Sequence, residues 1–221
     1  MSASGSSCDG PVGVAVTRVA CVGDSITVGV GTTGDGNAYP AVLGRLLGAG
    51  WAVKSFGSSG RTLMRAPGRG HEAYWDTPSF TASKAYAPHV VVIMLGTNDA
   101  KMPNWRGGAN AYELDARALL AAYAAAAIRP RLFLALPPPA LLASFTISPL
   151  VIANAIVPIL WRLAEETGAG IIDVNGAFRP SAAAYFGAGD GRDIGDGTHP
   201  NDAGAALIAK TVADALTRAG R

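Results

Sequence analysis

The chain has 221 residues, 49% of them apolar and 15% charged, and a formal net charge of +2 from 18 Lys+Arg against 16 Asp+Glu. A length of this order is one domain that withdraws about 70% of its unfolded surface from water. The apolar content excludes a disordered chain, and the charge balance offers no basic face for nucleic acid.

The first eleven residues are rich in Ser and Gly, with neither a basic start nor an apolar stretch. Residues 1–16 are therefore expected to be a flexible arm ahead of one domain over 17–221. Such a start suits a cytoplasmic protein, or a secreted one whose signal has been removed. Five short apolar runs read as strands: 18–22, 51–56, 90–95, 131–136 and 170–174. The third is apolar throughout, as in a strand covered on both faces. Helices are expected over 39–47, over 109–128 (Ala-rich and stopped by Pro130), over 149–167 with Gly168 beyond it, and over 201–218 with Asn201 as N-cap and Gly220 past the end. Residues 57–80 read as one long Gly/Pro-punctuated loop. The longest uncharged apolar runs, 90–95 and 119–128, fall short of the ~20 residues of a membrane-crossing helix. Two cysteines make no disulfide framework. Cys21 reads as a small buried apolar residue, with a Cys8–Cys21 bridge as the alternative.

Strands alternating with helices imply a parallel sheet covered on both faces. Ligands of such sheets bind at the carboxyl ends of the strands, so polar residues just past each strand are the candidates. They are Gly23-Asp24-Ser25, Gly57-Ser58-Ser59-Gly60, Gly96-Thr97-Asn98-Asp99 and, before the last helix, Asp196-Gly197-Thr198-His199. Of the three histidines, His89 stands at the entry of the third strand, about 20 Å from that edge at ~3.3 Å per residue. His199 follows Asp196 by three residues, so one tight turn lets the carboxylate orient the imidazole and leaves the other ring nitrogen free to take a proton. His71, in the long loop, is the alternative base. Ser25, on a sharp turn after a buried strand, is the hydroxyl such a base would activate. Backbone N–H groups of Ser25 and Gly60 and the Asn98 amide are donors for a developing oxyanion, while Thr97 and Asp99 hold the loop. Gly29-Val30-Gly31-Thr32-Thr33-Gly34 matches GxGxxG, but Lys54 stands where a ribose-binding acid belongs. That segment reads as a flexible lip beside Ser25. Three scattered histidines and two cysteines give no metal-ligand spacing.

These four segments, in this order, resemble the SGNH subgroup of GDSL-type esterases and lipases, over residues 18–217. The resemblance implies a three-layer α/β/α sandwich on a five-stranded parallel sheet, flavodoxin-like in order. It also implies a Ser25–His199–Asp196 triad, an oxyanion hole from Ser25, Gly60 and Asn98, and no cofactor. Ser55 stands where the family often has Asn. A narrower likeness to sialate and xylan O-acetylesterases rests on Tyr74-Trp75-Asp76-Thr77, on Asn98-Asp99-Ala100-Lys101 through Trp105, and on Pro137-Pro138-Pro139. It implies acetylated sugars as substrates, with Asp24, Trp75 and Trp105 as substrate contacts. An acyltransferase, or a lysophospholipase- or thioesterase-type hydrolase, would use the same residues.

Overall fold

A computed structural model of the protein describes residues 16–66, 72–189 and 193–218. Residues 1–15 of the expected arm, with Cys8 among them, and His71 and Gly220 lie outside these.

Five parallel strands form one sheet: β1 (Thr17–Gly23), β2 (Trp51–Gly57), β3 (Val90–Met94), β4 (Arg131–Ala135) and β5 (Gly170–Ile172). Their order is β2-β1-β3-β4-β5, the flavodoxin-like arrangement. β3 has all five residues buried, and alternate side chains go to opposite faces because a strand has period two. Val91 and Ile93 join the core beneath α3 (Pro78–Ala85), α4 (Gly108–Ala124) and α6 (Val157–Thr167). Val90, Val92 and Met94 join the core beneath α2 (Tyr39–Leu47), α7 (Val174–Phe178) and α8 (Asp202–Arg218). Each such side chain contributes about 1.5–3 kcal/mol relative to exposure. That is why the central strand carries no polar residue. Among the described residues no helix is long and apolar enough to cross a membrane.

Four expectations need correction. Residues 57–80 are not one loop, because α3 begins at Pro78. Thr77 caps it, its hydroxyl accepting from the Phe80 N–H at 3.2 Å, and Pro78 at the first helical position needs no partner for a missing N–H. The helix expected over 109–128 ends at Ala124. Pro130 disfavours helical backbone in the residue before it, and Arg129 turns the chain into β4 with φ +50. The helix expected over 149–167 is interrupted: α5 (Pro149–Val151) passes through a π-helical stretch, Ile152–Ile156, into α6. Pro158 lacks an N–H and its ring crowds the carbonyl four residues back, which the wider π turn relieves. Finally, β5 stops at Ile172 because Asp173 starts α7, its carboxylate accepting from the Gly176 N–H at 2.7 Å.

Candidate active site

The strand order reverses between β1 and β3, so a crevice opens there at the carboxyl edge of the sheet. β1 enters it through Gly23, where a Cβ would lie 2.0 Å from Thr27 Oγ1 and 2.7 Å from the Met94 carbonyl. Only glycine allows the chain to turn so close to β3. Asp24 then caps a single helical turn, α1 (Ser25–Val28), accepting from the Ile26 N–H at 3.0 Å. The cap places Ser25 at the first helical position, its hydroxyl on the rim.

Ser25 Oγ lies 2.8 Å from His199 Nε2, and His199 Nδ1 lies 2.6 Å from Asp196 Oδ2. The other Asp196 oxygen accepts from the backbone N–H groups of Thr198 and His199, both at 2.8 Å. Burial pushes the Asp196 carboxyl up, but the His199 ring and these two N–H groups outweigh it and hold it below the usual carboxylate value. An ionised carboxylate only accepts, so Nδ1 carries the ring proton and Nε2 is left to accept from the Ser25 hydroxyl.

A cavity of about 240 Å³ opens beside this chain of hydrogen bonds, lined by Ser25, Gly60, Asn98 and His199 with Lys101 and Phe145 among its other walls. Among the described residues the Ser25 and Gly60 backbone N–H groups have no protein acceptor. Asn98 gives one amide N–H to Asp24 Oδ2 at 3.2 Å and keeps the second. Its own backbone carbonyl accepts from Asn104 Nδ2 at 2.8 Å, which fixes the loop. Asp99 clasps the segment after Gly60, accepting from Leu63 N–H at 2.9 Å and Met64 N–H at 2.8 Å. Burial raises the Asp99 carboxyl to about 7 against the pull of those two donors. It raises Asp24 to about 6 against the Ile26 N–H, the His199 charge and the Asn98 amide.

The model of the GDSL-like lipase/acylhydrolase family matches residues 21–207. The chain belongs to that family.

This member of the GDSL-like family is 35% identical over 217 residues to an acetylxylan esterase of Xylanibacter ruminicola, a match covering 90% of this chain and 43% of that protein. The chain thus spans less than half of this relative. A carbohydrate acetylesterase family member from Sinorhizobium meliloti has the same fold, with TM-score 0.73, 21% identity, and 92% and 98% of the two chains covered. So does an M. smegmatis aryl esterase, with TM-score 0.69, 20% identity, and 92% and 99% covered.

Other residues fall elsewhere than expected. Asp24 is only 1% exposed: it is bonded to Asn98 and does not line the cavity. Trp75 and Trp105 do not line the cavity. Trp75 donates to the Leu63 carbonyl at 3.0 Å and its face is covered by the Arg65 guanidinium, 3.7 Å from the ring centre. Trp105 packs on Tyr112. His89 stays at the far edge, accepting from the Arg18 N–H at 2.9 Å. Cys21 is buried, and burial pushes its thiol up to about 12. Two residues of the cavity wall were not among the expected site residues. Lys101 is half-buried, and burial holds its ammonium below the usual lysine value while the Asp24 charge opposes this. Phe145 is exposed, and its ring meets the His199 ring edge-on with centroids 6.0 Å apart.

The GxGxxG segment is a brace and not a free lip. Asp202 accepts from the Thr33 N–H at 2.8 Å, the Thr33 hydroxyl at 2.6 Å and Asn37 Nδ2 at 3.0 Å. Gly31, at φ +96, comes so near that a Cβ would lie 2.9 Å from His199 Cβ and 2.7 Å from the Pro200 carbonyl. Gly31→Ala is expected to lower stability by about 1–3 kcal/mol through the strained backbone. It should also lower kcat about 10²-fold by displacing the imidazole. Thermal melts and ester kinetics check both. A full kcat would show that the loop does not brace His199.

Proposed function

We propose that the protein is a serine esterase that removes short acyl groups, chiefly acetyl, from carbohydrates. The observation that carries this reading is the continuous path from Ser25 Oγ through the His199 ring to Asp196 at the mouth of a small cavity. The reading takes residues 17–221 as one hydrolase domain.

Ser25 Oγ attacks the ester carbonyl carbon as His199 Nε2 takes the hydroxyl proton, and Asp196 stabilises the imidazolium. The carbonyl oxygen becomes an oxyanion that accepts from the Ser25 and Gly60 N–H groups and the free Asn98 N–H. The intermediate collapses, the bond to the alcohol oxygen breaks, and His199 passes its proton to that oxygen. Water then attacks the acyl-serine, giving one proton to His199, and the returning proton restores the Ser25 hydroxyl as the acid leaves. Gly60 suits its part because its left-handed φ of +78 is open to glycine without strain.

About 240 Å³ is below the ~300–1,000 Å³ of pockets that enclose drug-sized ligands. A cavity of that size favours a short acyl group over a long one. The names of the Xylanibacter and Sinorhizobium proteins support acetylated carbohydrate as the substrate. A series of p-nitrophenyl esters, read beside acetate release from acetylated xylan, tests the reading. The expected kcat/KM peaks at acetate and falls about tenfold or more by octanoate, as each added methylene that finds no room forfeits binding. A peak at octanoate or beyond would overturn the short-acyl assignment, and no hydrolysis of any member would overturn the esterase.

A further inference from the structure

Lys101 and Phe145 lie on one wall of the cavity. The segments that carry them are joined by Met102 N–H to the Thr146 carbonyl at 3.0 Å, Ser148 N–H to the Ala100 carbonyl at 2.9 Å, and an antiparallel bridge between Lys101 and Ile147. Phe145 and Thr146 both hold positive φ, +55 and +62. These are conformations that non-glycine residues avoid, and here they bring Phe145 against the His199 ring while leaving it 56% exposed. Among the described residues the Lys101 ammonium has no acidic group within ion-pair distance. The other cavity walls, His199 aside, carry no titratable charge.

The wall also indicates which half of the ester meets this cation. His199 must protonate the departing alcohol, so the alcohol lies on the imidazole side of the scissile bond. Phe145 borders that side, and Lys101 shares its wall. The carbonyl oxygen is the part of the ester that meets Gly60 and Asn98. An exposed aromatic face beside a lone ammonium matches a ring with an apolar face and a negative charge.

We propose that the alcohol half of the natural ester is a sugar bearing a carboxylate, of the uronic acid kind, with its ring against Phe145 and its carboxylate paired with Lys101. The proposal rests on the esterase reading above and narrows its substrate class. Neutral acetylated sugars lack the group that Lys101 would pair with, and cationic ones are repelled.

The test compares mono-O-acetyl methyl glucuronoside with the methyl glucoside acetylated at the same hydroxyl, with p-nitrophenyl acetate as a third substrate. The two sugars differ only in a carboxylate against a hydroxymethyl group. Wild-type protein is expected to favour the acid about tenfold in kcat/KM, the size of one hydrogen-bonded ion pair. Added salt should shrink that preference, because the ammonium is only half-buried. In Lys101→Met the ratio is expected to fall to about one. A wild-type ratio of one or less while p-nitrophenyl acetate is hydrolysed would overturn this inference and leave the esterase intact. So would a preference that survives in Lys101→Met. If all three substrates stay whole, the esterase reading fails first. The salt titration uses wild-type protein alone, so the test does not depend on the variant folding.

Discussion

Ser25→Ala is expected to lower kcat about 10⁶-fold, the loss that follows when a serine hydrolase of this design is deprived of its nucleophile. The fold should barely notice. The Ser25 hydroxyl makes one side-chain hydrogen bond, to His199 Nε2, and a net hydrogen bond is worth about 1 kcal/mol. In a chain of this size that moves Tm by about 2–4 °C. p-Nitrophenyl acetate turnover and a thermal melt provide the two readings, and mass spectrometry after a brief pulse of ester should find the acyl adduct on wild-type protein alone. A variant that keeps activity within tenfold would remove Ser25 from the chemistry. A variant that melts far below wild type would mean that the serine serves the fold.

The second large effect is expected at Asp196. Asp196→Asn keeps the shape of the side chain but allows the amide to donate to Nδ1. The ring proton then moves to Nε2, and the nitrogen facing Ser25 can no longer accept. By analogy with the same exchange in other triads, kcat should fall about 10⁴-fold. KM should change little, because Asp196 does not line the cavity. A KM effect with full kcat would refute the orienting role. The exchange also has a pH signature. The folded-state pKa of Asp196 lies below its ordinary value. Its ionised form therefore stabilises the fold above the unfolded pKa of about 3.9, and that contribution is lost as pH falls through the lower folded value. Any Tm difference between wild type and Asp196→Asn should narrow in acid.

Much of this was legible because the sheet imposes strong local rules. An apolar run with no polar residue, such as Val90–Met94, fits a central strand covered on both faces, and Pro130 and Gly168 mark where helical stretches stop. Once the strands are placed, the carboxyl edge follows, and Ser25, Gly60, Asn98 and His199 fall on it without any distance being known. What stayed hidden depends on contacts between distant segments. Asp24 looks like a rim residue in a string of letters, but the turn at Gly23 sends its side chain down to Asn98. Trp75 looks like an open aromatic surface until Arg65 is found lying over it. Phe145 gave no signal, because nothing in Ser144-Phe145-Thr146 announces two successive left-handed residues. The π stretch was equally silent: Pro158 is tolerated there only because the backbone widens before it.

The hydrogen bond between Ser25 and His199 joins positions 174 residues apart, and His199 enters the cavity on the segment that leads directly into α8. On the proposed reading, therefore, a growing polypeptide has made all five strands before it has made the base, and ester cleavage must wait for the segment just ahead of α8.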